Sequence, residues 1–220
     1  MSNRLALFDC DGTLVDSQAN ICLSMEEAFV LGGLTAPTRP AIRRIIGLSV
    51  VEAIAALSPE LDDSRHRALA EDYKSAFFRL RASGAMSEEP LFDGMIAALD
   101  TLAETGWLFG VATGKSDRGL ARILAHHGIA DRFVTLQTAD RHPSKPHPSM
   151  IELAMAEAGA SPETTVMIGD TSYDMVMARA AGTRALGVAW GYHPSHELTA
   201  AGAHAVAETV AGLPAQMESL

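Results

Sequence analysis

Leu5-Ala6-Leu7-Phe8-Asp9-Cys10-Asp11-Gly12-Thr13 is the stretch on which the fold turns. The apolar run from Leu5 to Phe8 predicts a short buried strand, and it stops at an acid followed at once by a turn signal, Asp11-Gly12-Thr13. A buried strand ending in acidic residues is the usual opening of an open α/β sheet. Two later segments repeat the pattern. Trp107 to Ala112 runs into Thr113-Gly114-Lys115, and Thr165 to Ile168 runs into Gly169-Asp170. Weaker strands are expected at Val134–Gln137, Arg184–Ala189 and His204–Val206.

Helical patterns lie between these strands. Gly94 to Glu104 carries Met95, Ile96, Leu99 and Leu102 on one face, with Gly106 as its stop. Ser116 suits the N-cap of a helix over Asp117–His127 that Gly128 closes. Pro148–Ala158 ends at Gly159, and Ser172–Ala181 at Gly182. Strand and helix alternating through short connections imply an α/β fold with a parallel sheet covered on both faces. The interval from Ser17 to Glu89 breaks this rhythm. It predicts helices only, at Gln18–Leu31, Pro40–Ile46, Val50–Leu57 and Ser64–Arg81. An all-helical insertion after the first strand reads as a second, smaller domain. The expected division is 1–16 and 88–220 for the core and 17–87 for the insert, with hinges near Asp16–Gln18 and Ser87–Leu91.

The chain has 220 residues, enough for a core domain plus a smaller one, and its apolar and charged content is that of a globular protein. Its 17 basic and 27 acidic residues give a net charge of -10. That balance argues against a general nucleic-acid binder but leaves room for a small anionic substrate, which needs only local positive charge. Cys10 and Cys22 build neither a disulfide framework nor a zinc spacing, as suits a reducing compartment. No run approaches the apolar length of a membrane span, and the first residues lack the pattern of a targeting signal. A cytoplasmic protein with no membrane partner is the expectation.

In open α/β sheets ligands bind beyond the carboxyl ends of the strands. Asp9/Asp11, Thr113, Lys145 and Asp170/Asp174 fall there. Three or four carboxylates in one cleft cannot all stay ionised without a cation, and hard oxygen donors with room for water suit Mg²⁺. A carboxylate is a competent nucleophile toward phosphorus. A second carboxylate two residues on, facing the same way along an extended backbone, could protonate the leaving oxygen and then activate water. Charge on the transferring oxygens could be met by Mg²⁺, the Lys145 ammonium, the Thr113 hydroxyl and backbone N–H groups near Asp11 and Gly114.

These residues carry a family resemblance. Asp9-Cys10-Asp11-Gly12-Thr13-Leu14-Val15-Asp16-Ser17 resembles the first motif of the haloacid dehalogenase-like hydrolases. Val111-Ala112-Thr113-Gly114-Lys115 is similar to the second, Lys145-Pro146-His147-Pro148 to the third, and Gly169-Asp170-Thr171-Ser172-Tyr173-Asp174 to the fourth. The motifs stand in order over essentially the whole chain. The resemblance implies a Rossmann-like core with a helical cap inserted between the first and second motifs, Asp9 as nucleophile and Asp11 as general acid/base. It implies Mg²⁺ held by Asp9, the Asp11 carbonyl and Asp170 with support from Asp174, and a phosphoryl group bound by Thr113, Gly114 and Lys145. The substrate would be a small phosphorylated metabolite. Val188-Ala189-Trp190-Gly191-Tyr192 resembles the phosphoglycolate phosphatases, while Gly114 departs from the frequent Asn.

Related chemistries differ at readable positions. Haloacid dehalogenases lack the acid at Asp11, and phosphonate hydrolases carry a small residue there. A β-phosphoglucomutase-like mutase keeps both aspartates but has Glu-Asp where this chain has Gly169-Asp170, and lacks an acid at Asp174. Hydrolysis is therefore favoured, with the mutase as the alternative. A non-catalytic scaffold would not explain the intact set of Asp9, Asp11, Lys145 and Asp170. Read singly, Asp11-Gly12 is a common turn, Lys145 a loop lysine, Thr113 a helix cap and Asp174 a first-turn helix acid. Cys10 does not head a cysteine-phosphatase loop, since Asp16 stands where an arginine is needed. In the insert, Arg43 is the expected contact for an anionic group at the far end of the substrate, with Arg44 on a solvated face.

Overall fold

The computed structural model describes residues 2–220. Strands β1 (Asn3–Phe8), β2 (Trp107–Thr113), β3 (Phe133–Thr138), β4 (Ala160–Gly169), β5 (Arg184–Val188) and β6 (Ala205–Ala207) form one sheet in the order β3-β2-β1-β4-β5-β6. Every pairing is parallel. The chain leaves β1 for β2 and β3 on one side, then returns to β4 on the other, so the order reverses beside β1. The register aligns Phe8 with Val111 and with Ile168. That alignment brings the ends of β1, β2 and β4 to one edge.

Alternation along β1 splits the core in two. Ala6 and Phe8 face a cluster that includes Leu99, Leu120, Ile168 and Leu186. It is packed by α5 (Met95–Glu104), α6 (Asp117–His126) and α10 (Leu213–Glu218). Leu5 and Leu7 face Ile151, Ala154, Met167 and Met175 on the other side. That side is covered by α7 (Ser149–Ala158), α8 (Ser172–Ala180) and α9 (Ser195–Ala200). Short α9 and α10 escape the sequence reading, since neither is long enough to show a helical period. β4 begins at Ala160, before the expected Thr165, and its register shifts between those residues.

Between β1 and α5 lie α1 (Gln18–Leu31), α2 (Arg39–Ile45), α3 (Val50–Leu57) and α4 (Asp63–Ala82). They bury an apolar cluster of their own, with Cys22, Met25, Phe29, Ile42, Ile54 and Leu69 at its centre. Side-chain caps start two of the helices. The Thr38 hydroxyl accepts from the Ala41 N–H and the Asp62 carboxylate from the Arg65 N–H. The two crossings between this helical unit and the sheet run side by side. Asp16 donates its N–H to the Pro90 carbonyl, and Phe92 donates to Leu14. The Asn20 amide exchanges two hydrogen bonds with the backbone of Ser87. Among the described residues no helix is long and apolar enough to cross a membrane.

Candidate active site

Asp9 follows β1 directly and is held there by its own N–H, which donates to the Ile168 carbonyl at 2.8 Å. One carboxylate oxygen, Oδ1, accepts from the Cys10 N–H at 2.6 Å and lies 2.9 Å from Lys145 Nζ. The other, Oδ2, is buried with no hydrogen-bond partner among the described residues. Lys145 also donates to Asp174 Oδ1 at 2.6 Å. Asp174 Oδ2 meanwhile accepts from the N–H and the hydroxyl of Thr171, closing the start of α8. The helix-cap role and the site role thus sit on opposite oxygens of one carboxylate.

Asp170 follows β4, and its two oxygens accept from the Thr13 hydroxyl at 2.8 Å and the Tyr192 N–H at 2.9 Å. Gly12 has φ +86°, and a Cβ there would stand 2.3 Å from Asp170 Oδ2. Only glycine therefore allows the turn to lie against the acid. One oxygen each of Asp9, Asp170 and Asp174 falls within 4.8 Å of the others.

The electrostatics of this cluster are out of balance. Three carboxylates face one ammonium, all at 2% exposure or less. Burial pushes the Asp9 carboxyl up to about 7, Lys145 opposing and Asp174 and Asp11 adding to the rise. Burial, then Asp9 and Asp174, push Asp170 well above the usual carboxylate range. Burial pulls Lys145 down, but Asp174 and Asp9 outweigh it and hold the ammonium above its ordinary value. A cluster of three buried carboxylates, two of which resist ionisation, fits a hard divalent cation such as Mg²⁺.

Asp11 faces away from this cluster. Its Oδ1 pairs with Lys115 Nζ at 2.8 Å and accepts the Ser17 hydroxyl. Thr113 is fully buried at the end of β2, where its hydroxyl accepts from the Lys115 N–H at 3.2 Å. Gly114 has no room for a side chain, because a Cβ would lie 2.4 Å from the Leu48 carbonyl and 2.7 Å from that of Gly47. The departure from Asn thus coincides with a close approach of the helical unit. Nearby, the Ser49 N–H donates to the Ser144 hydroxyl at 2.9 Å.

A cavity of about 630 Å³ separates the helical unit from the core, and Asp11, Gly114 and Lys115 line it. Asp9, Asp11, Lys145, Asp170 and Asp174 therefore gather around the sheet edge, with Thr113 and Gly114 beside them. Arg43 does not line the cavity. Its guanidinium donates to the Gly191 carbonyl at 3.3 Å and lies 5.8 Å from the ring centroid of Tyr192, which ties α2 to the core. Basic side chains that do line it are Lys74, Arg81, Lys115, Arg118 and Arg122. Sequence reasoning missed these as site residues, and also Ser17 and Thr13. Lys115, Thr13 and Ser17 offered a signal by lying within the first two motifs, and the others offered none.

Acids that a sheet edge concentrates beside one buried ammonium define a hydrolytic enzyme of the parallel α/β class. Residues 6–188 match the family model of haloacid dehalogenase-like hydrolases, and the chain belongs to that family. It is 35% identical over 210 residues to a protein of Dickeya dadantii named "Probable phosphatase IndB", covering 93% of this chain and 89% of that one. A phosphoglycolate phosphatase of Vibrio vulnificus is 28% identical, with 96% and 94% covered. Among solved structures, a haloacid dehalogenase-like family protein of Streptococcus pneumoniae superposes with a TM-score of 0.83 at 25% identity, covering 97% of this chain and 98% of that one.

Proposed function

We propose that this enzyme is a Mg²⁺-dependent phosphatase that hydrolyses a small phosphate monoester through an aspartyl-phosphate on Asp9. The observation that carries the proposal is the Asp9 carboxylate, one oxygen fixed by Lys145 and Cys10 and the other buried and free. The free Oδ2 is the atom to attack phosphorus. Asp9, the Asp11 carbonyl and Asp170 would hold Mg²⁺, with Asp174 in support, and the ion would neutralise charge on the transferring oxygens. Thr113, the Gly114 backbone and Lys145 would bind and orient the phosphoryl group.

Asp11 protonates the departing alkoxide and then takes a proton from the water that cleaves the aspartyl-phosphate. That Asp11 lines the cavity supports this role. Lys115 and Ser17 keep its carboxylate in one orientation. The four-helix unit over 17–87 acts as the cap and excludes water. Gly169-Asp170 and Asp174 favour hydrolysis over phosphoryl transfer between positions of a sugar.

A phosphate-release screen over a panel of metabolites tests the proposal. Release should require Mg²⁺ and stop in EDTA, and Asp11→Asn should slow it about 10²–10⁴-fold. Undiminished release in EDTA, or full activity of Asp11→Asn, contradicts it.

A further inference from the structure

The cavity is far larger than a two-carbon acid requires. Its volume of about 630 Å³ lies within the range of roughly 300–1,000 Å³ that encloses drug-sized ligands. Asp11 and Gly114 belong to its lining, and on the phosphatase reading the leaving group departs past them. Most of the lining is apolar and includes Leu48, Val51 and, from α4, Tyr73 and Phe77. The Tyr73 hydroxyl has no hydrogen-bond partner among the described residues, and burial raises its pKa above that of an ordinary phenol.

The lining also carries cations. Arg81 and Arg122 both pair with buried Glu89 at 3.1 Å and flank the Phe77 ring. Arg118 has no carboxylate partner among the described residues. Its guanidinium sits 4.4 Å from the ring centroid of Phe78, a ring left 46% exposed. Asp140, an acid of the lining, is engaged by the Asp117 N–H at 2.8 Å. In a chain of net charge -10, the lining thus carries five basic groups against two acids. An aromatic ring holds the Arg118 fork in place while its donors stay free for a carboxylate or phosphate.

We infer that the natural substrate is the phosphate monoester of a bulky, largely apolar alcohol that bears a second anionic group at its far end. The body lies against Tyr73 and Phe77, and Arg118 takes the anion. This rests on the phosphatase reading above. It moves the contact for the distal anion from Arg43 of the helical unit to Arg118 on α6.

Three esters whose leaving alkoxides are of similar basicity test it: propyl, phenylpropyl and para-carboxyphenylpropyl phosphate. With Mg²⁺ present, kcat/KM should rise about tenfold or more at each step along that series. Phe77→Ala should erase the first rise, and Arg118→Ala the second. Equal kcat/KM for the three esters overturns the inference, as does a loss in Arg118→Ala that is the same with and without the carboxylate. Absence of Mg²⁺-dependent release from all three, and from the metabolite panel as well, overturns the phosphatase reading and the inference with it.

Discussion

Lys145 balances two buried acids alone, and Asp9 shows what remains uncompensated. Its carboxyl is pushed up to about 7 from an ordinary 3.8, chiefly by burial. The folded value lies above the unfolded one. The stability linked to this group is therefore fully present below about pH 4 and is lost as pH rises through about 7 in the metal-free protein. A divalent cation needs the ionised form and so competes with the proton. Added Mg²⁺ is expected to raise Tm more at about pH 8 than at about pH 6. Equal increments in a thermal melt at the two values would contradict the site as drawn. Asp9, Asp11 and Asp170 were legible because each follows a short apolar run, a local signal. The Lys115–Asp11 and Ser17–Asp11 contacts were not, because only the folded hinge and strand edge bring those atoms together. Arg43 was misplaced for the same reason: spacing gives a helix face, and not what the face meets.

Between elements, the decisive contact is the turn after α2 lying against the end of β2. Gly114 has no side chain to hold off the Gly47 and Leu48 carbonyls. Gly114→Asn is expected to force the helical unit away from the core. Its kcat/KM for a bulky ester should fall about tenfold or more, since a misplacement of about 1 Å can cost about 10²-fold in rate. Small-angle scattering should show a larger radius of gyration. Unchanged scattering and kinetics would mean that the close approach has no part in closure. The boundaries of α1 and α3 coincide with their apolar patterns, because each buries one stripe in the insert's own cluster. Helices α9 and α10 and the irregular start of β4 were invisible, being fixed by tertiary packing rather than by a period.

At the scale of the whole molecule, the proposed mechanism takes its reacting carboxylate from the parallel sheet, while the helical unit supplies most of the cavity lining. That division lets the chemistry be read from four ordered motifs, while the cavity wall is known only from the folded chain. Everything in the account requires that phosphorus be transferred to Asp9. The most direct measurement is a rapid acid quench of Asp11→Asn with para-nitrophenyl phosphate, whose leaving group needs no proton, followed by mass analysis of the peptide that contains Asp9. Slowed hydrolysis should leave one phosphoryl group on Asp9, and the same experiment on a protein that also carries Asp9→Asn should leave none. Phosphoryl label on another residue, or normal turnover by Asp9→Asn alone, would contradict the mechanism.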